Sequence, residues 1–200
     1  KQRDNQFIHP WDDIVKLGGN QRTLLSKGEG VYVYDSEGNR LLDAPAGMWC
    51  VNIGHGREEM AQAVYDQIMA LTYVSPWSMT TGPAAQFAAV LAEESPGDLN
   101  HVFFTTGGST AVDSALRFMQ FYNNMRGKHD KKHIIAQKRG YHGSTFLAGT
   151  VSGKERDKSN LDIVEGLVHH IDAPHPLHKL EGQSDAEFLD ACVANLENMI

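Results

Sequence analysis

Residues 102–125 constrain the fold of this 200-residue chain more than any other stretch. An apolar run at 102–104 predicts a short strand, and the apolar spacing over 109–125 predicts an amphipathic helix. The connecting turn, 105–110, carries two glycines and four hydroxyl side chains. Free N–H groups and the positive end of the helix dipole favour an anion at such a helix start. The turn is therefore a candidate phosphate-binding loop, although ordinary helix capping by its hydroxyls also explains it.

Strands and helices alternate through the rest of the chain. Runs of β-prone residues at 133–136 and 166–171 predict two more strands, and 185–199 has the spacing of an amphipathic helix. This alternation predicts an α/β fold, with a mainly parallel sheet and helices on both of its faces. In such folds ligands bind beyond the carboxyl ends of the strands, where the polar turns lie.

The first half of the chain follows a different pattern. Residues 31–34 are β-branched or aromatic, and a turn-forming segment joins them to a return strand at 40–43, which predicts an antiparallel hairpin. Helical periodicity follows at 58–71 and 83–94, with a proline in the first turn of the second helix. The stretch before the hairpin reads as an N-terminal arm.

A second unusual cluster, Gly140-Tyr141-His142-Gly143-Ser144-Thr145, follows the strand at 133–136. A tyrosine ring there can stack on a flat heteroaromatic ring, and His142 can donate a hydrogen bond or exchange a proton near neutral pH. Taken alone, the cluster is also explained by a rim aromatic and a structural histidine. Two such clusters on neighbouring turns predict one ligand with a phosphate and a flat ring.

Several other classes of protein are disfavoured. The turn matches neither G-x-x-x-x-G-K-[ST] nor G-x-G-x-x-G, which argues against a P-loop enzyme and a dinucleotide dehydrogenase. The formal net charge of −7 argues against nucleic acid or an anionic membrane as partner. The histidines at 169, 170, 175 and 178 lack zinc-ligand spacing, so we expect no metal. Cys50 and Cys192 read as free thiols, which fits a cytoplasmic location.

Four separated segments also resemble one family in order and spacing: 28–35, 48–56, 96–104 and 140–145. The chain is similar to the N-terminal portion of class III pyridoxal-phosphate (PLP) aminotransferases, which have fold type I. More narrowly, it resembles those that act on ω-amino acids or amines with pyruvate. The resemblance begins at about residue 9 and covers essentially all that follows.

The resemblance implies a role for each matching residue. The phosphate-binding turn, the ring-stacking tyrosine with its following histidine, and two substrate-pocket aromatics are implied at Gly107, Gly108, Ser109, Tyr141, His142, Trp49 and Trp77. The family turn usually reads Ser-Gly-Ser-Glu-Ala, whereas this chain has Gly-Gly-Ser-Thr-Ala at 107–111. The change leaves phosphate binding to backbone N–H groups and Ser109, and it puts contacts made through the family's glutamate in doubt.

The resemblance also implies what lies elsewhere. The Schiff-base lysine and the acid that binds the pyridine nitrogen are expected beyond residue 200, so no catalytic residue is assigned in this chain. Lys138 precedes the Tyr141 turn and fits the lysine's position poorly. Residues 1–57 are expected to form the N-terminal arm and a small-domain β segment. Residues 58–200 are expected to form the first, incomplete part of the PLP-binding large domain.

The implied activity is PLP-dependent transfer of an amino group from an amine or ω-amino acid to a keto acid such as pyruvate. A homodimer with its site at the subunit interface is implied as well. The same cradle also serves aminomutases, racemases and decarboxylases, which stay open as alternatives. A non-catalytic fragment of the PLP fold and a nucleotide-binding module that uses the Gly107 turn stay open too.

Overall fold

The structure, a computed structural model, describes residues 6–16, 19 and 22–200. The remaining positions belong to the predicted N-terminal arm and lie outside the described residues. The chain divides into two compact units, Lys1–Phe87 and Ala88–Ile200. The domain boundary expected after residue 57 stays a prediction.

The first unit contains a three-stranded antiparallel sheet in the order β1, β2, β3. Its strands are Leu25–Glu29, Tyr32–Asp35 and Arg40–Leu42. The predicted hairpin is confirmed as β2 and β3, with Val33 opposite Leu41. In the turn between them, the Asp35 carboxylate accepts hydrogen bonds from the backbone N–H groups of Glu37 and Asn39, each at 2.9 Å. These bonds close the turn locally, as aspartate does in Asx turns.

A left-handed helical turn, α1 (Ala46–Trp49), follows the sheet. Its four consecutive φ angles are 48°, 61°, 64° and 66°. Residues with a Cβ disfavour this region by roughly 1–2 kcal/mol each, and α1 contains a single glycine, Gly47. Sequence patterns gave no sign of this turn, because such a run normally requires glycine or asparagine.

Two regular helices follow, and the second of them runs past the end of the first unit. They are α2 (Glu58–Ala70) and α3 (Gly82–Glu94), close to the predicted bounds. Glu58 and Glu59 lie in the first turn of α2, where negative charge complements the helix dipole. Neither helix contains a buried residue. The apolar stripe that predicted them, including Met60, Val64 and Ile68, is exposed in the structure.

The second unit is built on two parallel strands and four helices. The elements are α4 (Gly108–Met125), β4 (Ile134–Gln137), α5 (Phe146–Val151), α6 (Glu155–Lys158), β5 (Val168–Ile171) and α7 (Asp185–Met199). β4 and β5 pair in parallel, from Ile134 opposite Val168 to Gln137 opposite Ile171, as the alternating pattern predicted. The strand predicted at 102–104 is wrong for this structure. Among the described residues no strand pairs with that segment, and extended backbone becomes a strand only through such pairing.

The buried apolar residues of the second unit lie on β4 and α5 and are Ala136, Ala148 and Val151. β4 is paired with β5, and α5 packs against α4. The hydroxyls of Thr150 and Ser152 are buried beside them and are hydrogen bonded to backbone carbonyls. Among the described residues, no buried side-chain polar atom lacks a partner. This satisfaction matters because an unpaired buried polar group is costly.

Gly153 lies at a close approach of backbone to backbone in this unit. A Cβ at this position would lie 2.8 Å from the Cα of Lys138 and still closer to the carbonyl oxygen of Gln137. The Gly153 carbonyl accepts a hydrogen bond from the N–H of Arg139 at 2.8 Å. The segment after α5 therefore pairs with the segment after β4 only because residue 153 has no side chain.

The start of α5 is held by a side chain from α4. Asp113 of α4 accepts hydrogen bonds from the backbone N–H of Ala148 and from the hydroxyl of Thr145, both at 2.8 Å. Thr145 is the N-cap residue of α5, and its own side chain makes no capping bond. The carboxylate of Asp113 therefore does the work of an N-cap from a neighbouring helix, and its negative charge suits the positive end of α5.

We expect Gly153→Ala to lower the free energy of unfolding of the intact protein by about 2 kcal/mol or more, because the new methyl group meets backbone atoms that cannot move alone. Gly149→Ala is the matched control, since a Cβ at that helical position meets nothing within 4 Å. The control should be neutral or stabilising by up to about 1 kcal/mol. Urea unfolding measures both, and equal midpoints would contradict the close approach.

We expect Asp113→Ala to destabilise the intact protein by about 2–4 kcal/mol, because two donors lose a charged acceptor. Asp190→Ala removes an exposed carboxylate on α7 and should change the free energy of unfolding by less than about 0.5 kcal/mol. The measurement is again urea unfolding, with hydrogen exchange at residues 145–149 to localise the effect. Unchanged exchange in Asp113→Ala would show that α5 is capped in another way.

Candidate functional site

Threonine hydroxyls within the glycine turn before α4 stabilise the turn by hydrogen bonds. The side chains of Thr105 and Thr110 both donate to the carbonyl oxygen of Gly107, at 3.1 and 2.8 Å. Gly107 is the N-cap residue of α4, and no side chain caps the helix. The first N–H groups of a helix have no partner within the helix, so here they point toward the space in front of the turn.

This turn is hydrogen bonded to the Tyr141 turn. The backbone N–H of Ser144 donates to the Oγ of Ser109 at 3.0 Å, and the hydroxyl of Thr145 contacts the Ser109 carbonyl oxygen at 3.3 Å. Because the Oγ of Ser109 already accepts a bond, its own proton remains to be donated elsewhere. The two predicted clusters therefore form one continuous site, with a serine proton at the junction.

Gly143 permits this junction. Its φ is 135°, and a Cβ there would lie 2.7 Å from the Oγ of Ser109, 2.8 Å from the Ser109 Cα and 2.7 Å from the Cβ of Ala148. Any side chain would separate the two turns or distort α5. The contact that requires this glycine is visible only in three dimensions.

Tyr141 is held at its hydroxyl and is about half exposed. Its OH lies 2.8 Å from the Oγ of Ser144, and the residue is 48% exposed. The Nζ of Lys154 lies 5.6 Å from the ring centroid, within the range of a cation–π contact. A half-exposed tyrosine that is anchored at its hydroxyl is suited to stacking on a flat ligand.

His142 is fixed through its backbone. Its N–H donates to the Oγ of buried Ser152 at 2.9 Å, and Ser152 in turn bonds to the carbonyl oxygen of Ala148 at 3.0 Å. The His142 ring lies against Gly140, where a Cβ would come within 3.0 Å of its Nε2. The backbone of the Tyr141 turn is thus tied both to α4 and to the end of α5.

The residues at 107–109 and 141 fit the two ends of PLP. A Cβ at Gly107 or at Gly108 would meet nothing within 4 Å, so open space lies directly in front of the helix start. A phosphate approaching there meets backbone N–H groups, the helix dipole and the Ser109 hydroxyl. The exposed ring of Tyr141, on the adjoining turn, suits the pyridine ring.

The two tryptophans predicted for the substrate pocket belong to the first compact unit. Trp49 is the last residue of the left-handed turn α1 and is 76% exposed. Trp77 lies between α2 and α3 and is 96% exposed. Neither ring packs into a core of the described residues. Their assignment to a substrate pocket stays a prediction.

A cavity of about 580 Å³ opens beside this site. It is lined by Lys138, Arg139, His170 and residues 153–156. Lys138 pairs with the Asp172 carboxylate, with Nζ–O distances of 3.0 Å, so its ammonium is bound by a counter-ion. That Lys138 is not the Schiff-base lysine stays a prediction. The cavity lies where β4 ends, at the edge of the sheet used for ligands in this class of fold.

Sequence reasoning missed three residues that build the site. Asp113, Ser144 and Ser152 join the turns to α4 and α5, as described above. A weak signal for Asp113 exists, since it lies four residues after Ser109 and thus on the same helix face. Ser144 and Ser152 carry no such signal, because the bonds of Ser144 to Ser109 and of Ser152 to the His142 N–H form only once the turns are folded.

Two further findings concern only the part of the chain that the structure describes. No group of three or more histidine, cysteine, aspartate or glutamate side chains there is arranged to hold a metal ion. No helix there has the length and apolar character needed to cross a bilayer.

Known proteins resemble this chain in both sequence and structure. Putrescine–pyruvate aminotransferase of Pseudomonas aeruginosa is 40% identical over 167 residues, which are 82% of this chain and 37% of that protein. A thermostable (S)-enantioselective omega-transaminase from Thermomicrobium roseum superposes with a TM-score of 0.93 at 33% identity, covering 99% of this chain and 45% of that one. The omega transaminase from Pseudomonas jessenii in complex with PMP gives a TM-score of 0.94 at 30% identity, covering 99% of this chain and 44% of that one.

The chain thus spans less than half the length of these relatives. Their likeness confirms the predicted α/β architecture of fold type I. The family model described as aminotransferase class-III matches residues 16–200, nearly all of the chain. Members of this family depend on PLP, in agreement with the cofactor expected from the two turns. The chain belongs to the class-III aminotransferases.

Proposed function

We propose that this chain serves PLP-dependent transamination, in which an amino group passes from an amine or ω-amino acid to a keto acid such as pyruvate. The observation that carries the proposal is the 3.0 Å hydrogen bond from the N–H of Ser144 to the Oγ of Ser109. This bond joins an anion-binding helix start to a turn that bears an exposed aromatic ring. The phosphate and the ring are the two parts of PLP that a protein can bind noncovalently.

The turn at 107–109 anchors the phosphate. Backbone N–H groups of Gly108 and Ser109 donate to phosphate oxygens, and the Ser109 hydroxyl adds a third donor. Thr105 and Thr110 hold the Gly107 carbonyl away from the anion, since both hydroxyls donate to it. The positive end of α4, a helix of 18 residues, adds a favourable field. The family's glutamate is replaced by Thr110, whose hydroxyl stabilises the turn instead.

Tyr141 holds the plane of the pyridine ring, and its hydroxyl is steadied by Ser144. His142 completes the cofactor site beside it. When bound, PLP supplies an electron sink that lets an amino group leave one substrate and join another. The chain's own task would be to hold that ring in one orientation relative to the substrate.

We further propose the substrate pocket, the assembly and the location of the whole protein. Trp49 and Trp77 line the substrate pocket and favour amines and ω-amino acids whose carbon chains pack on indole rings. The whole protein forms a homodimer with its site at the subunit interface. It works in the cytoplasm, a reducing compartment that suits the unpaired Cys50 and Cys192.

We expect the intact protein, supplied with PLP, to show the visible absorbance of a protein-bound cofactor. An amine donor should bleach the band, and pyruvate should restore it in the same cuvette. Cofactor-supplemented protein without such a band would contradict the proposal. Turnover that continues without any keto acid would instead point to a mutase, racemase or decarboxylase. Binding of ATP or NAD that PLP does not displace would point to a nucleotide-binding module.

We expect Ser109→Ala to weaken PLP binding by about 10–100-fold, because a hydrogen bond to a charged group is lost. The affinity for pyridoxal, which lacks the phosphate, should fall much less. The measurement is cofactor titration of the apo protein by absorbance or fluorescence, with the two ligands compared in each variant. An equal loss for both ligands would mean that the substitution only loosens the turns.

Ser184→Ala is the matched control for that experiment. Ser184 also lies at a helix start, where its Oγ accepts from the N–H of Glu187 in a capping box. Its removal should cost about 1 kcal/mol of stability and leave both affinities unchanged. If Ser184→Ala weakens PLP binding as much as Ser109→Ala does, the phosphate is not bound at the start of α4.

A further inference from the structure

The direction of Trp49 depends on backbone geometry. The ring is largely exposed, so packing within the described residues contributes little to its orientation. It ends the run of four positive φ angles in α1, in which three residues carry a Cβ. Residues with a Cβ disfavour the left-handed conformation, so it persists only where the surrounding structure imposes it. Side chains outside α1 must therefore hold it in place.

Asp43 holds the beginning of the turn. Its Oδ1 accepts from the backbone N–H of Gly47 at 3.2 Å, and its carbonyl oxygen accepts from the N–H of Ala46 at 3.1 Å. Its own N–H donates to the carbonyl oxygen of Val31 at 2.9 Å, which ties it to the sheet. One residue therefore connects the rigid hairpin to the first two residues of the left-handed turn.

His55 holds Asp43 from the far end of the same loop. Its Nε2 lies 3.0 Å from the Oδ2 of Asp43, and both side chains are largely buried. The hydrogen bond to His55 keeps the pKa of the Asp43 carboxyl below its ordinary value, so the acceptor is a carboxylate. The His55 backbone is fixed by paired hydrogen bonds with Gly30, at 2.8 and 3.0 Å. Its ring lies against Gly28, where no Cβ would fit.

Backbone hydrogen bonds within the loop connect the residues anchored by Asp43 to Trp49. The N–H of Trp49 donates to the Pro45 carbonyl oxygen at 2.8 Å, and the N–H groups of Cys50 and Val51 both donate to that of Ala46 at 2.9 Å. All three bonds close around the residues that Asp43 anchors. If Asp43 lets the turn relax toward ordinary dihedrals, the Cα–Cβ direction of residue 49 changes with it.

We propose that Asp43 and His55 are positioning residues that hold the left-handed turn and thereby aim Trp49, which sets the size of amine that the enzyme accepts. The inference rests on the proposed function, because Trp49 as a wall of the amine pocket is part of it. Neither residue touches substrate or cofactor in this account. They act on selectivity through the backbone of residues 46–49.

The first arm of the test measures the turn itself. Hydrogen exchange of the intact protein should show loss of protection at the amides of residues 49–51 in Asp43→Ala and His55→Ala. His55→Gln keeps a donor at a similar reach and should restore most of the protection. Asp35→Ala is the matched control, because Asp35 makes equivalent backbone bonds in the β2–β3 turn, away from α1. It should leave these amides protected.

The second arm measures selectivity with a compact amine and a branched, bulkier one. Asp43→Ala should shift the ratio of kcat/KM for the two amines by about fivefold toward the ratio of Trp49→Ala, as expected for coupled residues. In the Trp49→Ala background the same substitution should leave the ratio unchanged. His55→Gln should behave like the parent enzyme, and Asp35→Ala should lower stability at most.

The outcomes separate the two claims. Lost protection together with a shifted ratio that vanishes in the Trp49→Ala background supports the proposal. Lost protection with an unchanged ratio overturns it, since Asp43 then only stabilises the loop. A shift that is equally large without Trp49 overturns it as well. If no amine is transferred, the proposed function fails and the selectivity role fails with it, while hydrogen exchange still shows whether Asp43 and His55 hold the turn.

Discussion

The contact between the two glycine turns is the interaction on which the second unit depends. The bond from the Ser144 N–H to the Ser109 Oγ is a single link, but Asp113 and Ser152 brace it from either side. Without it, the helix start and the tyrosine turn are two ordinary loop features. With it, an anion-binding end and a flat apolar surface share one frame. Gly143 is the condition for that frame, because the turns approach more closely than a side chain allows.

Most large apolar side chains on the helices are exposed in the described residues. In the described residues the buried apolar side chains are Ala136, Ala148 and Val151, all near β4 and α5. Much larger groups, such as Phe103 and Phe118, are exposed. The site is therefore stabilised mainly by hydrogen bonds and by close backbone packing of small residues. Such packing gives precise geometry but buries little apolar area, so each polar contact carries a larger share of the local stability.

Sequence reasoning succeeded where the signal is periodic or local. The apolar spacing located α2, α3, α4 and α7 to within a residue or two, and the Asp35 turn located the hairpin. The strand at 102–104 was wrong because pairing, which no local pattern encodes, decides strands. The left-handed α1 was missed because the bonds from Asp43 and His55 override the preferences of Ala46, Met48 and Trp49. Both glycine turns were found, but the residues that join them were not, since their partners lie about 35 positions away.

The borrowed cap of α5 has a consequence for the order in which the molecule forms. A helix of six residues is too short to persist alone in water, and Thr145 offers it no side-chain cap. The acceptor that it needs, Asp113, is in place only when α4 is helical and packed against α5. The tyrosine turn directly precedes α5, so it too becomes ordered only after that docking. In the proposed cofactor site, the half assigned to the ring therefore depends for its order on the helix that bears the half assigned to the phosphate.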